Sequence, residues 1–392
     1  MINVAVLGYG TIGSGVVEVL SVNKEIVKKH AGEEISVKHV LDLRKFPGSP
    51  IENILTDSID TIIDDDSVDI VVEVMGGVHP AFEFVDRALK SGKSVVTSNK
   101  ALVAAYGPQL IETARENSVN FMFEASVGGG IPILRPLIRC ITADDILEIT
   151  GILNGTTNFI LTKMYNEGSE FEPTLKEAQA LGYAEKDPTA DIEGFDPCRK
   201  IAILTALANG QFVDFEDISC KGITQITDTD IAFAKMLGKK IKLFATSWKE
   251  DGLTYAEVAP ALIGPENPLY AVDDVMNAVL VRGNMLGDTM FYGAGAGKLP
   301  TASAVVSDVI VEAKHLKEHI PVQMSAEKMT LADASKAKAQ FYIRLPQGSE
   351  MTLPVAEELK LENDPAVKAY ITETISAGEA ASIEGAVYIK LK

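Results

Sequence analysis

Cysteine is scarce: Cys140, Cys198 and Cys220 are the only three in 392 residues. They are widely spaced, so no CxxC pair for metal or redox work exists, and an odd number makes a poor disulfide framework. A reducing cytoplasm is the setting this predicts. Histidine is sparse too. His30, His39, His79, His315 and His319 form no metal-spaced set, and the last two are an i, i+4 pair at a helix end. No apolar run approaches the ~20 residues that span a bilayer. No basic stretch precedes Ile2–Leu7, which runs directly into a glycine loop and reads as a first strand, not a signal peptide. Basic residues are outnumbered, 36 Lys and Arg against 55 Asp and Glu, for a net charge of -19. That balance argues against nucleic acid or an anionic membrane as partner. It leaves room for a small anionic cofactor held by backbone N–H groups.

What is present is a soluble globular composition, 46% hydrophobic and 23% charged. The length exceeds one ordinary core and predicts two or three domains. The first third alternates strands (Val4–Leu7, Ser36–Leu41, Asp69–Val74, Ser94–Thr97, Asn120–Glu124) with helices (Thr11 to Lys29, Pro80 to Ser91, Tyr106 to Asn117). Alternation of this kind predicts an α/β fold with a doubly wound parallel sheet. From 135 to 299 the pattern is α+β. Strands at Leu147–Leu153, Ile241–Trp248, Leu253–Val258 and Ala278–Arg282 accompany helices near 157–167, 173–182 and 196–209. Pro300 to Leu316 reads as helix, 321–340 as linker, and Gln340–Leu345 and Ala386–Leu391 as two strands of a small terminal module. The expected domains are 1–134 plus 300–320, then 135–299, then 321–392.

Gly8-Tyr9-Gly10-Thr11-Ile12-Gly13 is a GxGxxG sequence that follows a strand and opens a helix. Gly8 permits the tight turn, Gly10 lets a pyrophosphate approach the backbone, and Gly13 lets helix and strand pack closely. The helix N-terminus offers unpaired N–H groups and a partial positive charge to the phosphates. A Rossmann-type dinucleotide site is the expectation. At the end of the second strand, Asp42 suits the ribose 2′-OH of NAD, while Arg44 and Lys45 suit the 2′-phosphate of NADP. The sequence leaves both open.

Ser98-Asn99-Lys100-Ala101 follows the strand Ser94–Thr97, where ligands of such sheets lie, so Lys100 is placed near the nicotinamide. A surface lysine capping a loop is the plainer alternative. The densest constellation runs from Gly182 to Lys200, with acidic groups at Glu185, Asp187, Asp191, Glu193 and Asp196. Lys200 stands one helical turn after Asp196. Read plainly, this is a solvated acidic loop with Asp196 as an N-cap. Against that, Ile201-Ala202-Ile203-Leu204 takes Lys200 into a helix that is mostly core. A lysine there, ringed by carboxylates, suits acid/base work.

The stretch Ala178–Lys200 resembles, position by position, the signature of homoserine dehydrogenases: Ala178, Gly182, Tyr183, Asp187-Pro188, Asp191, Gly194, Asp196 and Lys200. The resemblance extends to the glycine loop, Ser98-Asn99-Lys100-Ala101, Glu124–Pro132, Asn154-Gly155-Thr156-Thr157-Asn158 and Gly293-Ala294-Gly295-Ala296-Gly297, roughly residues 1–317. It implies NAD(P)-dependent interconversion of L-homoserine and L-aspartate 4-semialdehyde. By the same resemblance Lys200 is the acid/base, Lys100 assists near hydride transfer, and Asp196 orients Lys200. Glu185 and Asp191 bind the substrate ammonium, with Gly155, Thr156 and Tyr183 beside them. Ser98 and Gly297 are further cofactor contacts. Glu124, Val127, Gly129 and Ile131 are implied ligands of a monovalent cation (Na+), largely through backbone carbonyls. A homodimer formed through the middle domain is implied as well. The chemistry agrees: hydride delivery to an aldehyde leaves an alkoxide, which needs a positive donor, and an ammonium needs carboxylates.

Many members of the family carry an ACT regulatory domain with an Asp-Lys-Pro-Gly turn. Residues 320–392 lack that turn, contain Leu345-Pro346-Gln347-Gly348-Ser349 instead, and place Leu361-Glu362-Asn363-Asp364-Pro365 where a regulatory helix would run. Insensitivity to threonine is expected. Two rivals are weaker. Aspartate-semialdehyde dehydrogenase chemistry needs a cysteine nucleophile near a histidine, and none of the three cysteines has that setting. A nucleotide-binding redox sensor without catalysis has no use for two lysines and clustered carboxylates.

Overall fold

Ile2–Leu7 (β1) is buried at every position but Asn3 and forms the axis of a six-stranded parallel sheet. Its companions are Ile35–Leu41 (β2), Leu55–Thr56 (β3), Ile70–Glu73 (β4), Ser94–Thr97 (β5) and Phe121–Met122 (β6), in the order β3-β2-β1-β4-β5-β6. β4 and β5 are buried throughout because helices cover both faces of a parallel sheet. The strand order reverses beside β1, and ligands of open α/β sheets lie beyond the carboxyl ends at that point. The computed structural model describes residues 1–316, 318–361 and 367–392. The sheet belongs to the first of two units, Met1–Ala143 with Ile203–Asp214 and Gly293–Met329.

Several boundaries differ from expectation. The helix expected over 11–29 is two helices, Thr11–Val22 and Lys24–Ala31, broken at Asn23, a residue whose side chain competes with helical backbone bonds. The helix expected from Tyr106 starts at Lys100, where the Asn99 side chain accepts from the Leu102 amide at 3.2 Å. The strand expected to reach Glu124 stops at Met122, and Glu124–Ser126 is a single 3-10 turn.

The second unit, Asp144–Ala202 with Phe215–Tyr292 and Thr330–Lys392, holds a ten-stranded, largely antiparallel sheet. Ile146–Ile152 pairs with Lys240–Glu250 on one side and Met276–Gly283 on the other; Gly287–Ala294 follows at that end. Lys240–Glu250 forms a long hairpin with Leu253–Ile263. Strands of the expected terminal module join this sheet. Val387–Leu391 adds to Leu253–Ile263 in parallel, with Ala261 opposite Lys390. Phe341–Arg344, Lys368–Thr372 and Val355–Lys360 then continue the same sheet. Ion pairs Lys390–Glu257 (2.8 Å) and Lys392–Glu148 (3.1 Å) tie that junction. The supposed linker contains Ser325–Lys328, which pairs in parallel with Gln211–Phe212 in the first unit. The expectation placed on Glu362–Pro365 lies outside the described residues.

Candidate active site

In the first unit, Gly8 turns at φ +96° directly after β1. A Cβ on Gly13 would stand 1.9 Å from the Gly8 carbonyl, so only glycine lets the next helix begin this close to the strand. Nothing lies within 4 Å of the Cβ position of Gly10, which precedes that helix, and Thr11 and Ile12 form its first turn. The result is an open backbone face at a helix N-terminus, the geometry that accepts a pyrophosphate. Gly297 precedes the helix Lys298–Lys314. That helix lies against the loop's helix: Lys298 pairs with Glu18 at 2.6 Å, and a Cβ on Gly15 would be 2.9 Å from the Lys298 carbonyl.

Asp42 is already engaged. It accepts from the Tyr9 amide at 2.8 Å and from the Arg44 guanidinium at 2.8 and 3.0 Å. Arg44 holds its carboxyl well below the usual carboxylate range. Arg44 itself is exposed, lies 5.2 Å over the Phe46 ring, and is followed by the exposed Lys45.

Ser98 follows β5 and Lys100 heads the next helix, and what supports this connection was not legible in the sequence. The support is Glu73, at the end of β4 and fully buried. It accepts from the Thr97 hydroxyl at 2.6 Å and the Met75 amide at 2.7 Å, and burial pushes its carboxyl up. Asn99 adds a bond to the Gly77 carbonyl at 2.5 Å. The one signal available was a carboxylate, Glu73, set among the apolar residues Ile70 to Val74.

At the expected cation bend, Glu124 spends its carboxylate on the backbone amides of Ile133, Leu134 and Arg135, at 2.6 to 2.9 Å. Gly128 and Gly129 turn at φ +67° and +54°, and a Cβ on Gly129 would be 2.4 Å from the Gly295 carbonyl. Asp308 accepts from the Glu124 amide at 2.8 Å.

In the second unit, Asn154 ends the strand Ile146–Ile152 region and caps the helix Gly155–Glu167 by accepting from the Thr157 amide at 2.9 Å. Its amide nitrogen donates to Asp191 at 2.8 Å and to Asp196 at 2.9 Å. Lys200, buried in the helix Phe195–Asn209, donates to Asp196 at 2.7 Å and to the Leu153 carbonyl at 2.6 Å. Thr156 donates to the Tyr183 carbonyl at 2.6 Å and reaches Asp191 at 3.4 Å. Gly155 has no room for a side chain, since a Cβ would lie 2.9 Å from the Val275 carbonyl. Thus Lys200, Asp196, Asp191, Thr156 and Tyr183 form one network, and Asn154, whose role the sequence does not announce, is its hub. Glu185 is exposed on the adjoining loop, where Gln179 donates to its backbone carbonyl at 3.1 Å.

Residues 8–124 match the family model for the homoserine dehydrogenase NAD binding domain, and residues 132–310 match the model for homoserine dehydrogenase. The homoserine dehydrogenase of Bacillus subtilis is 47% identical over 319 residues, covering 81% of this chain and 74% of that protein. That of Neisseria gonorrhoeae is 41% identical over 389 residues, covering 95% and 88%. The crystal structure of a homoserine dehydrogenase from Thiobacillus denitrificans matches with a TM-score of 0.91 at 35% identity, over 100% of this chain and 98% of that one. A hyperthermophilic archaeal homoserine dehydrogenase in complex with NADPH matches with a TM-score of 0.68 at 28% identity, over 82% and 99%. None of these relatives supports a sensor without chemistry. The open glycine loop, the lysine–carboxylate network and these relatives place the chain in the homoserine dehydrogenase family, the NAD(P)-dependent oxidoreductases that interconvert L-homoserine and L-aspartate 4-semialdehyde.

Proposed function

We propose that Lys200 is the acid/base of this reaction and that Asp196, Asp191, Asn154 and Glu185 build the substrate's place around it. The observation that carries the reading is the Lys200 ammonium, buried and fixed between the Asp196 carboxylate and the Leu153 carbonyl. A lysine so held points its protons in set directions, so it can hand one to the carbonyl oxygen of the semialdehyde or take one from the alcohol of homoserine. Asp191 receives Asn154 on one oxygen and lies near Thr156 with the other, which orients it for an ammonium. Glu185 adds an exposed carboxylate for the same charge.

The glycine loop fits a dinucleotide by its open backbone face. The nicotinamide, when bound, supplies or accepts the hydride. NAD would ask its ribose hydroxyl to compete with Arg44 for Asp42, whereas NADP would draw Arg44 to its phosphate. Cofactor choice therefore turns on Arg44. Lys100, at the head of its helix beyond β5, and Ser98 before it are assigned to the nicotinamide end. For a sodium ion, the bend offers the backbone carbonyls of Glu124, Val127, Gly129 and Ile131, because the Glu124 carboxylate is committed elsewhere.

The test is Lys200→Met, followed by homoserine-dependent reduction of NAD(P)⁺. The expected fall in kcat is on the order of 10² or more, with cofactor binding nearly unchanged. Near-normal kcat across the pH range would remove Lys200 from the mechanism.

A further inference from the structure

The structure brings together two of the three cysteines that the sequence keeps far apart. Cys198 is buried in the helix Phe195–Asn209, two residues after Asp196 and two before Lys200. Its thiol donates to the Phe215 carbonyl at 3.2 Å, and its amide to the Gly194 carbonyl at 3.0 Å. Cys220 lies in the short strand Ser219–Cys220, opposite Val258. Its thiol donates to the Glu193 carbonyl at 3.2 Å, and a Cβ on Gly194 would stand 3.0 Å from its sulfur. Both sulfurs therefore converge on the turn 193–198, the turn that carries Asp196.

We propose that Cys198 and Cys220 are a covalent modification site, a dithiol that hydroperoxides oxidise to an intramolecular disulfide. The two thiols are chemically unequal. The neighbouring Cys220 thiol and the Arg199 charge hold the Cys198 thiol below the usual range, while Cys198 and burial push Cys220 up. Cys198, next to the Arg199 charge in the chain, is the nucleophile, and Cys220 is the resolving thiol. Cys220 is partly exposed and marks the side from which a small oxidant enters.

The electron count closes. Cys198 loses its proton to solvent, and its thiolate attacks one peroxide oxygen. The S–O bond forms, the O–O bond breaks, and the departing hydroxide takes the Cys220 proton as water. The Cys220 thiolate then attacks the sulfenic sulfur. The S–S bond forms, the S–O bond breaks, and the hydroxide takes up the solvent proton. Two thiols and one hydrogen peroxide give one disulfide and two waters.

A disulfide needs its sulfurs about 2 Å apart, so both give up their carbonyl partners at Phe215 and Glu193. The turn between them must move, and with it Asp196 and the aim of Lys200. A shift of about 1 Å at such a site costs on the order of 10²-fold in rate. This second step rests on the reading of Lys200 as acid/base; disulfide formation itself does not.

The experiment is brief exposure of the whole enzyme to hydrogen peroxide. Free thiols should fall from three to one, and peptide mapping should find Cys198 joined to Cys220. The kcat should drop at least ~10-fold and return with dithiothreitol. Cys140→Ser should behave as wild type. Cys220→Ser should form no disulfide and should leave Cys198 as a sulfenic acid that dimedone traps. Three surviving thiols, or a link through Cys140 or between chains, would overturn the modification site. A mapped Cys198–Cys220 bond with unchanged kcat would overturn its effect on catalysis, and Lys200→Met would show separately whether the lysine's role had failed.

Discussion

Asn154 is a small residue with a large share of the site. One amide nitrogen reaches Asp191 and Asp196, partners 37 and 42 positions away in the chain, and so keeps two carboxylates apart and aimed. Glu185 has no such duty, and its removal should report on substrate alone. Glu185→Gln is expected to raise KM for homoserine about 10-fold, the worth of one charge-assisted contact, with kcat little changed; an unchanged KM would strike Glu185 from the substrate site. Residues such as Lys200 and Asp196 were legible because an i, i+4 pair inside an apolar helix is a local pattern. Asn154 and Glu73 were not. Each acts through bonds to distant segments, and nothing in their neighbours' spacing records that.

The helix Lys298–Lys314 works at both ends. Lys298 at its head meets the glycine-loop helix, while Asp308 and Glu312, one turn apart, are buried near its far end. Burial pushes Asp308 up to about 7, with Arg135 opposing and Glu124 adding to the rise, and it pushes Glu312 up to about 8. Unfolded, both carboxyls ionise near pH 4. Between there and pH 8 the folded chain binds protons that the unfolded chain has released, so stability falls as pH rises through that window and levels off above it. Glu312→Gln should flatten this slope, with Tm at least ~2 °C above wild type at pH 8.5 and little gain at pH 4.5. Identical slopes for the two proteins in thermal melts would mean that Glu312 does not titrate there. Elements differ in legibility as well. β1 and β4 announce themselves by apolar runs, and this long helix by its periodicity. Val355–Lys360 escaped notice because five of its six residues are exposed and Glu357, Glu358 and Lys360 lie on it, the composition of a guarded edge strand. β3 is only two residues long, too short for any period.

At the scale of the molecule, one large sheet of the second unit runs through both the expected catalytic domain and the expected terminal module. Phe341–Arg344, Val355–Lys360, Lys368–Thr372 and Val387–Leu391 continue that sheet, and a structural role without sensitivity to threonine is the prediction. The opposite end of the sheet, Gly287–Ala294 with the turn before it, leaves Met285, Leu286, Met290 and Tyr292 exposed, an apolar margin that suits a second copy of the chain. Light scattering should give about twice the 42.0 kDa chain mass, Met290→Lys should shift it toward one chain, and L-threonine added to the same preparation should leave activity unchanged. A single-chain mass for the wild type would end the dimer reading, and saturable inhibition, non-competitive with homoserine, would reveal a regulatory site. The position of Val387–Leu391 has its own consequence. It follows every other strand of its sheet in sequence, yet it lies between Leu253–Ile263 and Phe341–Arg344. During synthesis, Phe341–Arg344 and the Ala261–Leu262 end of Leu253–Ile263 must wait with open edges for a segment that emerges more than a hundred residues after the latter. Such edges are sticky. A ribosome that stops short of residue 387 would release a chain with a gap inside its sheet, conspicuous to chaperones and proteases, so the fold carries a built-in check that translation has reached that far.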